Sequence, residues 1–163
     1  MRTDETARSL SHLFSELSEG VKSDGFVLNT GDIGLLRSLD GLSAGDASRS
    51  ANGGATIAAH VQHLRYGLSL MNDWATNGGN PFANAKWDEA WKVNAVNSAQ
   101  WAEIRNGLRD EATRWVEVLK TPRDTSAVEY TGLLSSVAHL AYHFGAIRQI
   151  ARSARGPTEG TFA

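Results

Sequence analysis

The chain has 163 residues, 41% of them hydrophobic and 21% charged, and its 16 Lys+Arg against 18 Asp+Glu leave a formal net charge of -2. That balance describes a globular chain with enough apolar material for one core and without the basic block that marks a nucleic-acid binder. Cysteine is absent, which excludes disulfides, thiolate metal sites and cysteine nucleophiles; a metal could be held only by Asp, Glu or the five histidines, His12, His60, His63, His139 and His143.

The chain opens on charged residues, Met1 to Glu5, and lacks the apolar run of a signal peptide. No stretch approaches the length of a membrane span, so the expectation is a cytoplasmic protein with no membrane partner. Leu10, Leu13, Phe14, Leu17 and Val21 then form the i, i+3, i+4, i+7, i+11 stripe of a first amphipathic helix. His12 falls between two of these positions and has no partner nearby in sequence, which fits a surface or boundary histidine. A long Gly/Ser/Asp-rich connection follows over residues 20–54. It contains the one strand-like run, Gly25-Phe26-Val27-Leu28, and a short helix predicted over about residues 32–39.

A second long helix is predicted over about residues 56–74, with Thr56 as N-cap and Ile57, Val61, Leu64, Leu68 and Met71 along it. The next connection, residues 77–96, carries Trp87 and Trp91 four apart. They could roof a cleft, but buried aromatics usually pin a loop to the core, and that is the simpler expectation. A third helix starts near Asn97, with Gln100 in the capping-box relation and Trp101, Ile104, Leu108, Trp115 and Leu119 on one side. The fourth is predicted over about residues 132–154, with Leu133, Val137, Leu140, Phe144, Ile147 and Ala151, and Gly156-Pro157 as its stop. Four amphipathic helices of similar length are satisfied most simply by an all-α four-helix bundle, here one domain over residues 1–163 with long first-to-second and second-to-third connections.

His139 and His143 lie four apart on the fourth helix, one turn from each other on the same face, where two imidazoles can converge on one ion. His60 and His63 place two more on the otherwise apolar second helix. Burying four unpaired imidazoles is costly, and convergence on a metal relieves that cost. Which of the second pair is the ligand stays open on periodicity. At ~100° per residue, His60 lies about 40° and His63 about 100° from the middle of the Ile57–Leu64–Met71 stripe, so the wheel prefers His60, but a site at a bundle's edge need not follow the stripe.

The segment Thr56-Ile57-Ala58-Ala59-His60-Val61-Gln62-His63-Leu64, followed far downstream by His139-Leu140-Ala141-Tyr142-His143-Phe144-Gly145, resembles the DinB-like superfamily of DinB/YfiT-type metalloenzymes. That family pairs one histidine of its second helix with H-x-x-x-H on the fourth, typically followed two residues later by Gly, as Gly145 is here. Its second-helix histidine comes about seven residues after a Ser/Thr near the helix start, which counted from Thr56 is His63. The resemblance therefore implies His63, His139 and His143 as metal ligands, with His60 as their neighbour. Where the family often carries Arg before that glycine and Gln after it, this chain has Phe144 and Ala146.

Three neutral imidazoles without a fourth protein ligand leave coordination positions open, the pattern of a catalytic rather than a closed structural site. Zinc, nickel and ferrous iron would all accept such ligands. The resemblance implies a metal-dependent enzyme acting on a small molecule, with a low-molecular-weight thiol as the candidate co-substrate, in the manner of thiol-dependent S-transferases. Asp73, Asp88 and Glu89 are the carboxylates that could orient a histidine or act as a base. No phosphate-binding glycine loop, nucleophile elbow or paired-carboxylate motif is present. The competing expectation is a bundle without activity, a binding or stress-response interaction module whose metal site is vacant or structural. A homodimer is compatible with either, because bundles that leave an apolar face over commonly pair.

Overall fold

The computed structural model describes residues 3–157, and their regular structure is entirely helical. Seven α-helices are present among the described residues: α1 (Thr3–Glu19), α2 (Gly34–Asp40), α3 (Ala44–Ala47), α4 (Ile57–Asn77), α5 (Trp87–Ala90), α6 (Ser98–Lys120) and α7 (Ala127–Ile150). Two 3₁₀ turns, Pro81–Asn84 and Arg152–Ala154, complete the set. The four long helices α1, α4, α6 and α7 are the four expected amphipathic segments. Both α4 and α1 pack against α6 and α7, and α2 lies on α1 and α6. None of these helices is long and apolar enough to cross a membrane.

Local chemistry starts the long helices. Thr56 accepts from the Ala59 amide as the α4 N-cap, and reciprocal capping boxes, Asn97 with Gln100 and Ser126 with Glu129, open α6 and α7. Each such cap satisfies an amide with no intrahelical partner and contributes about 1 kcal/mol. The helices then bury one side each: Phe14 and Leu17 from α1, Ile57, Val61 and Leu64 from α4, Leu108 and Trp115 from α6, and Phe144 and Ile147 from α7. At roughly 1.5–3 kcal/mol per large apolar side chain, this shared core is the main stabilising term. Two of its indoles are bonded inside it. The Trp115 indole donates to Ser136 Oγ at 2.9 Å, and the Trp101 indole donates to the Leu42 carbonyl at 2.8 Å.

The strand-like run over residues 25–28 is not a strand. Glu16, buried on α1, accepts from the amides of Phe26, Val27 and Leu28 at 3.0, 2.6 and 2.7 Å, so one carboxylate does for this loop what a neighbouring strand would have done. Burial pushes the Glu16 carboxyl up, and the three amides outweigh it and hold the group below its ordinary range. Val21, expected on the first helix, lies beyond its end, because Gly20 turns the chain out at φ +87°. Gly20 and Gly34, also at positive φ, cross backbone to backbone: a Cβ on Gly20 would lie 2.1 Å from the Asp32 carbonyl oxygen. Only glycine fits that crossing.

The last helix differs at both ends from its sequence reading. It begins at Ala127, five residues earlier than expected, and ends at Ile150 rather than near residue 154. The early stop comes from a buried ion pair. Arg148 reaches Asp32 at 2.5 Å, stacks 3.8 Å over the Phe144 ring, and donates through Nε to the Ala154 carbonyl at 3.1 Å, which folds residues 152–154 into a 3₁₀ turn beside the helix.

Candidate metal centre

Four histidines meet where α4 faces α7. His60 and His63 project from the first half of α4, His139 and His143 from the second half of α7. His143 is 1% exposed, His60 and His63 are buried, and His139 is half-buried on the more open side. His12 lies elsewhere, exposed on α1 with its Nε2 3.9 Å from Glu16 and its ring edge-on to Phe26, as its isolation in the sequence suggested.

The contacts among the four rings divide them into two roles. His139 Nε2 lies 2.9 Å from His143 Nε2 and 3.1 Å from His63 Nε2, and ligand atoms of these three histidines all fall within 4.8 Å of one another. His60 sits on the far side of His143, its Nδ1 2.8 Å from the His143 Nδ1. His63, His139 and His143 thus form a cluster that could hold a metal ion, with His60 as a neighbour of one member. The off-stripe histidine of α4 is in the cluster because the centre lies on the flank of α4 turned to α7, whereas the apolar stripe is centred elsewhere on the helix.

Proton bookkeeping tests whether the cluster fits a cation. A neutral imidazole nitrogen is either a donor with one hydrogen or an acceptor with one lone pair. His139 Nε2 stands within hydrogen-bond distance of two other Nε2 atoms and cannot make a linear bond to both. Adding protons does not relieve it, since imidazolium rings would bring two donors face to face. A cation accepts all three lone pairs. Nitrogens ~2.0–2.1 Å from a tetrahedral ion stand roughly 3.3 Å apart, close to the 2.9 and 3.1 Å found here. If His143 Nε2 offers its lone pair, its proton is on Nδ1, and His60 Nδ1 is placed to accept it. That is the outer hydrogen bond that fixes a ligand's tautomer and ring orientation.

Burial favours the neutral form of all four rings. Burial lowers the pKa of His63 to about 4, helped by His139 and His60, and lowers that of His143 to about 3, helped by His139, His60 and His63; burial also lowers His60 and His139. Neutral imidazole is the form that ligates metals. His63 Nδ1 is buried without a hydrogen-bond partner.

The carboxylates singled out in the sequence take no part in this arrangement. Asp88 and Glu89 are exposed and pair with Lys92, and Asp73 accepts from the Asn77 side-chain Nδ2. The tryptophans come closer to the site than the sequence suggested. Trp87 opens α5 and Trp91 follows it. The Trp91 ring stacks on His63 with centroids 4.2 Å apart and meets His60 edge-on at 5.4 Å; Trp87 lies 5.4 Å from His63. They do pack the connection down, as expected, but onto the histidines. Tyr66 places Trp87, accepting from the Lys86 amide at 2.9 Å and meeting the indole edge-on. The i, i+4 spacing of the tryptophans was the available signal for this role.

No protein-family model, curated protein or solved structure matches the chain. Its function must be read from the centre itself.

Proposed function

We propose that the chain is a DinB-like four-helix bundle in which His63, His139 and His143 hold a divalent cation, and that it is a metal-dependent enzyme acting on a small molecule, similar to thiol-dependent S-transferases. The observation that carries the metal reading is the position of His139 Nε2, 2.9 and 3.1 Å from two other Nε2 atoms, an arrangement that one cation satisfies and protons do not. Zinc, nickel and ferrous iron suit an all-imidazole set, and when bound would act as a Lewis acid on a substrate oxygen or thiol.

The residues supply the rest. His60 accepts the His143 Nδ1 proton and so directs its Nε2 lone pair inward. Trp91 covers one face of His63 and keeps water from it. The half-buried His139 leaves the approach to the cluster on its own side.

Elemental analysis of the purified protein and of His63→Ala, His143→Ala and His60→Ala tests the assignment. One equivalent of divalent metal is expected in the wild type and in His60→Ala at saturating metal, and none in the other two. A wild type that takes up no divalent metal when supplied with it overturns the reading. Turnover of thiols against electrophiles that is unchanged by a chelator would leave the cation a structural role only.

A further inference from the structure

Beside the histidine cluster, between α4, α7 and the 79–87 connection, lies a cavity of about 510 Å³. Its size falls within the ~300–1,000 Å³ of ordinary small-molecule sites. Its walls include Leu68, Met71, Trp74, Phe82, Trp87 and Leu140, and His139 is one of its lining residues. None of the lining residues is Lys, Arg, Asp or Glu, so the walls away from His139 offer no charged side chain to offset the desolvation of a charged ligand. Two of its few polar groups are already engaged: Ser136 Oγ accepts from the Trp115 indole and donates to the Leu133 carbonyl, and the Asn80 side-chain oxygen accepts from the Phe82 amide.

Two of the lining residues are glycines inside helices, where glycine is among the poorest residues for stability. A Cβ on Gly67, in the middle of α4, would lie between His139 Cε1 at 3.6 Å and the Trp87 ring at 3.8 Å, at the end of the cavity that His139 lines. A Cβ on Gly132 of α7 would come within 2.7 Å of the Trp74 ring, so the missing side chain lets that indole lie against the helix as a wall. A side chain larger than alanine at Gly67 would fill the space between His139 and the Trp87 ring.

We propose that this cavity binds the body of the substrate, and that the substrate is an uncharged, largely apolar small molecule, aromatic or branched aliphatic, whose reacting end passes Gly67 to reach His139. The inference rests on the metal reading for what happens at that end, but the binding of the apolar body is a property of the cavity alone. A polar, multiply charged thiol does not suit these walls; such a co-substrate would approach from the solvent side of His139, and the cavity would hold its apolar acceptor.

The test uses a matched pair of fluorescent probes on one aromatic scaffold, neutral N-phenyl-1-naphthylamine and its sulfonated relative 8-anilino-1-naphthalenesulfonate. They are titrated into the full chain, metal-loaded and after chelation. The neutral probe is expected to saturate at one per chain and to bind at least tenfold tighter than the sulfonate, in both metal states. Gly67→Val, whose methyl groups would enter the space between His139 and the Trp87 ring, is expected to weaken the neutral probe at least fivefold, in the chelated as in the metal-loaded protein. Gly67→Ala, whose Cβ meets only ordinary contacts, is expected to fold at least as stably and to weaken it less. Should Gly67→Val fail to fold, Val128→Lys, which puts a charge on an exposed residue of the lining, is expected to weaken the neutral probe and narrow its margin over the sulfonate. Equal binding of the two probes, or neutral-probe binding indifferent to both Gly67→Val and Val128→Lys, overturns the proposal. Because the probes are read with and without metal, failure of the cavity is separable from failure of the metal centre, which is read by metal content.

Discussion

Helix α7 carries two buried polar groups five residues apart, and they are opposites. Around Arg148 the valences are closed: its guanidinium pairs with Asp32, donates to the Ala154 carbonyl and lies on Phe144, while Asp32 also accepts from the Gly34 amide at 2.8 Å. Beyond the His60 contact the valences around His143 are open: His139 Nε2 faces the Nε2 atoms of His143 and His63 at once, and His63 Nδ1 has no partner. A buried polar group that serves the fold alone ends up bonded, because each unmade bond costs stability. Three Nε2 atoms that converge with no hydrogen-bond pattern able to satisfy them all are the arrangement a cation would complete. The contrast separates scaffold from site without reference to any relative.

The largest effect that would sharpen this contrast is on the closed pair. Arg148→Met leaves the Asp32 carboxylate buried without its cation and is expected to cost about 3–5 kcal/mol in chemical denaturation, with metal stoichiometry unchanged in the protein that remains folded. A smaller loss is expected on the open side from His60→Ala. Removing the acceptor of the His143 Nδ1 proton should weaken metal affinity about 10–100-fold, measured by chelator competition, with partial recovery in His60→Gln. If His60→Ala bound metal as tightly as the wild type, the hydrogen bond between the Nδ1 atoms would have no orienting role.

His63→Leu should then act in the opposite sense to Arg148→Met. By removing an unsatisfied ring it is expected to raise the stability of the metal-free protein by about 1 kcal/mol while abolishing metal uptake. A loss of stability comparable to that of Arg148→Met would erase the distinction between the two regions.

The gentlest probe is pH. In the unfolded chain His63 and His143 take up protons as pH falls through about 6.5, whereas in the folded chain they resist until about 4 and 3. The unfolded state therefore binds more protons over that window, and the metal-free protein is expected to lose stability steadily from about pH 6.5 toward 4. Glu16, whose carboxyl is also held below its ordinary value, adds a further loss that begins only as pH falls below about 4.5. Thermal melts of wild type and His63→Leu across pH 7 to 4 should diverge, the variant showing the shallower decline.

Much of this was legible in the chain. Thr56, Asn97 with Gln100, and the apolar stripes located the four long helices because caps and periodicity are local signals. The start of α7 was misplaced because its first turn points outward, with Val128 73% exposed, so the stripe begins only at Leu133; the Ser126–Glu129 box was the better guide. Its end was not legible, since the Arg148–Asp32 pair that folds the chain back spans more than a hundred residues. The H-x-x-x-H pair was visible at once, but periodicity favoured His60 because the wheel locates the core, and the histidine cluster lies to one side of it. Nor could the sequence show that the tryptophans of the second connection would stack on histidine rather than on leucine.

The segment that carries those tryptophans is moored to its surroundings at three points. Tyr66 holds the Lys86 amide, the Thr56 hydroxyl donates to the Val93 carbonyl at 3.0 Å, and Ser48 Oγ accepts from the Val96 amide at 3.0 Å. Three side-chain oxygens, and no extended ladder of backbone bonds, thus secure the cover of His63. Exchange of the Lys86 and Val96 amide protons with solvent therefore reports how often that cover lifts from His63.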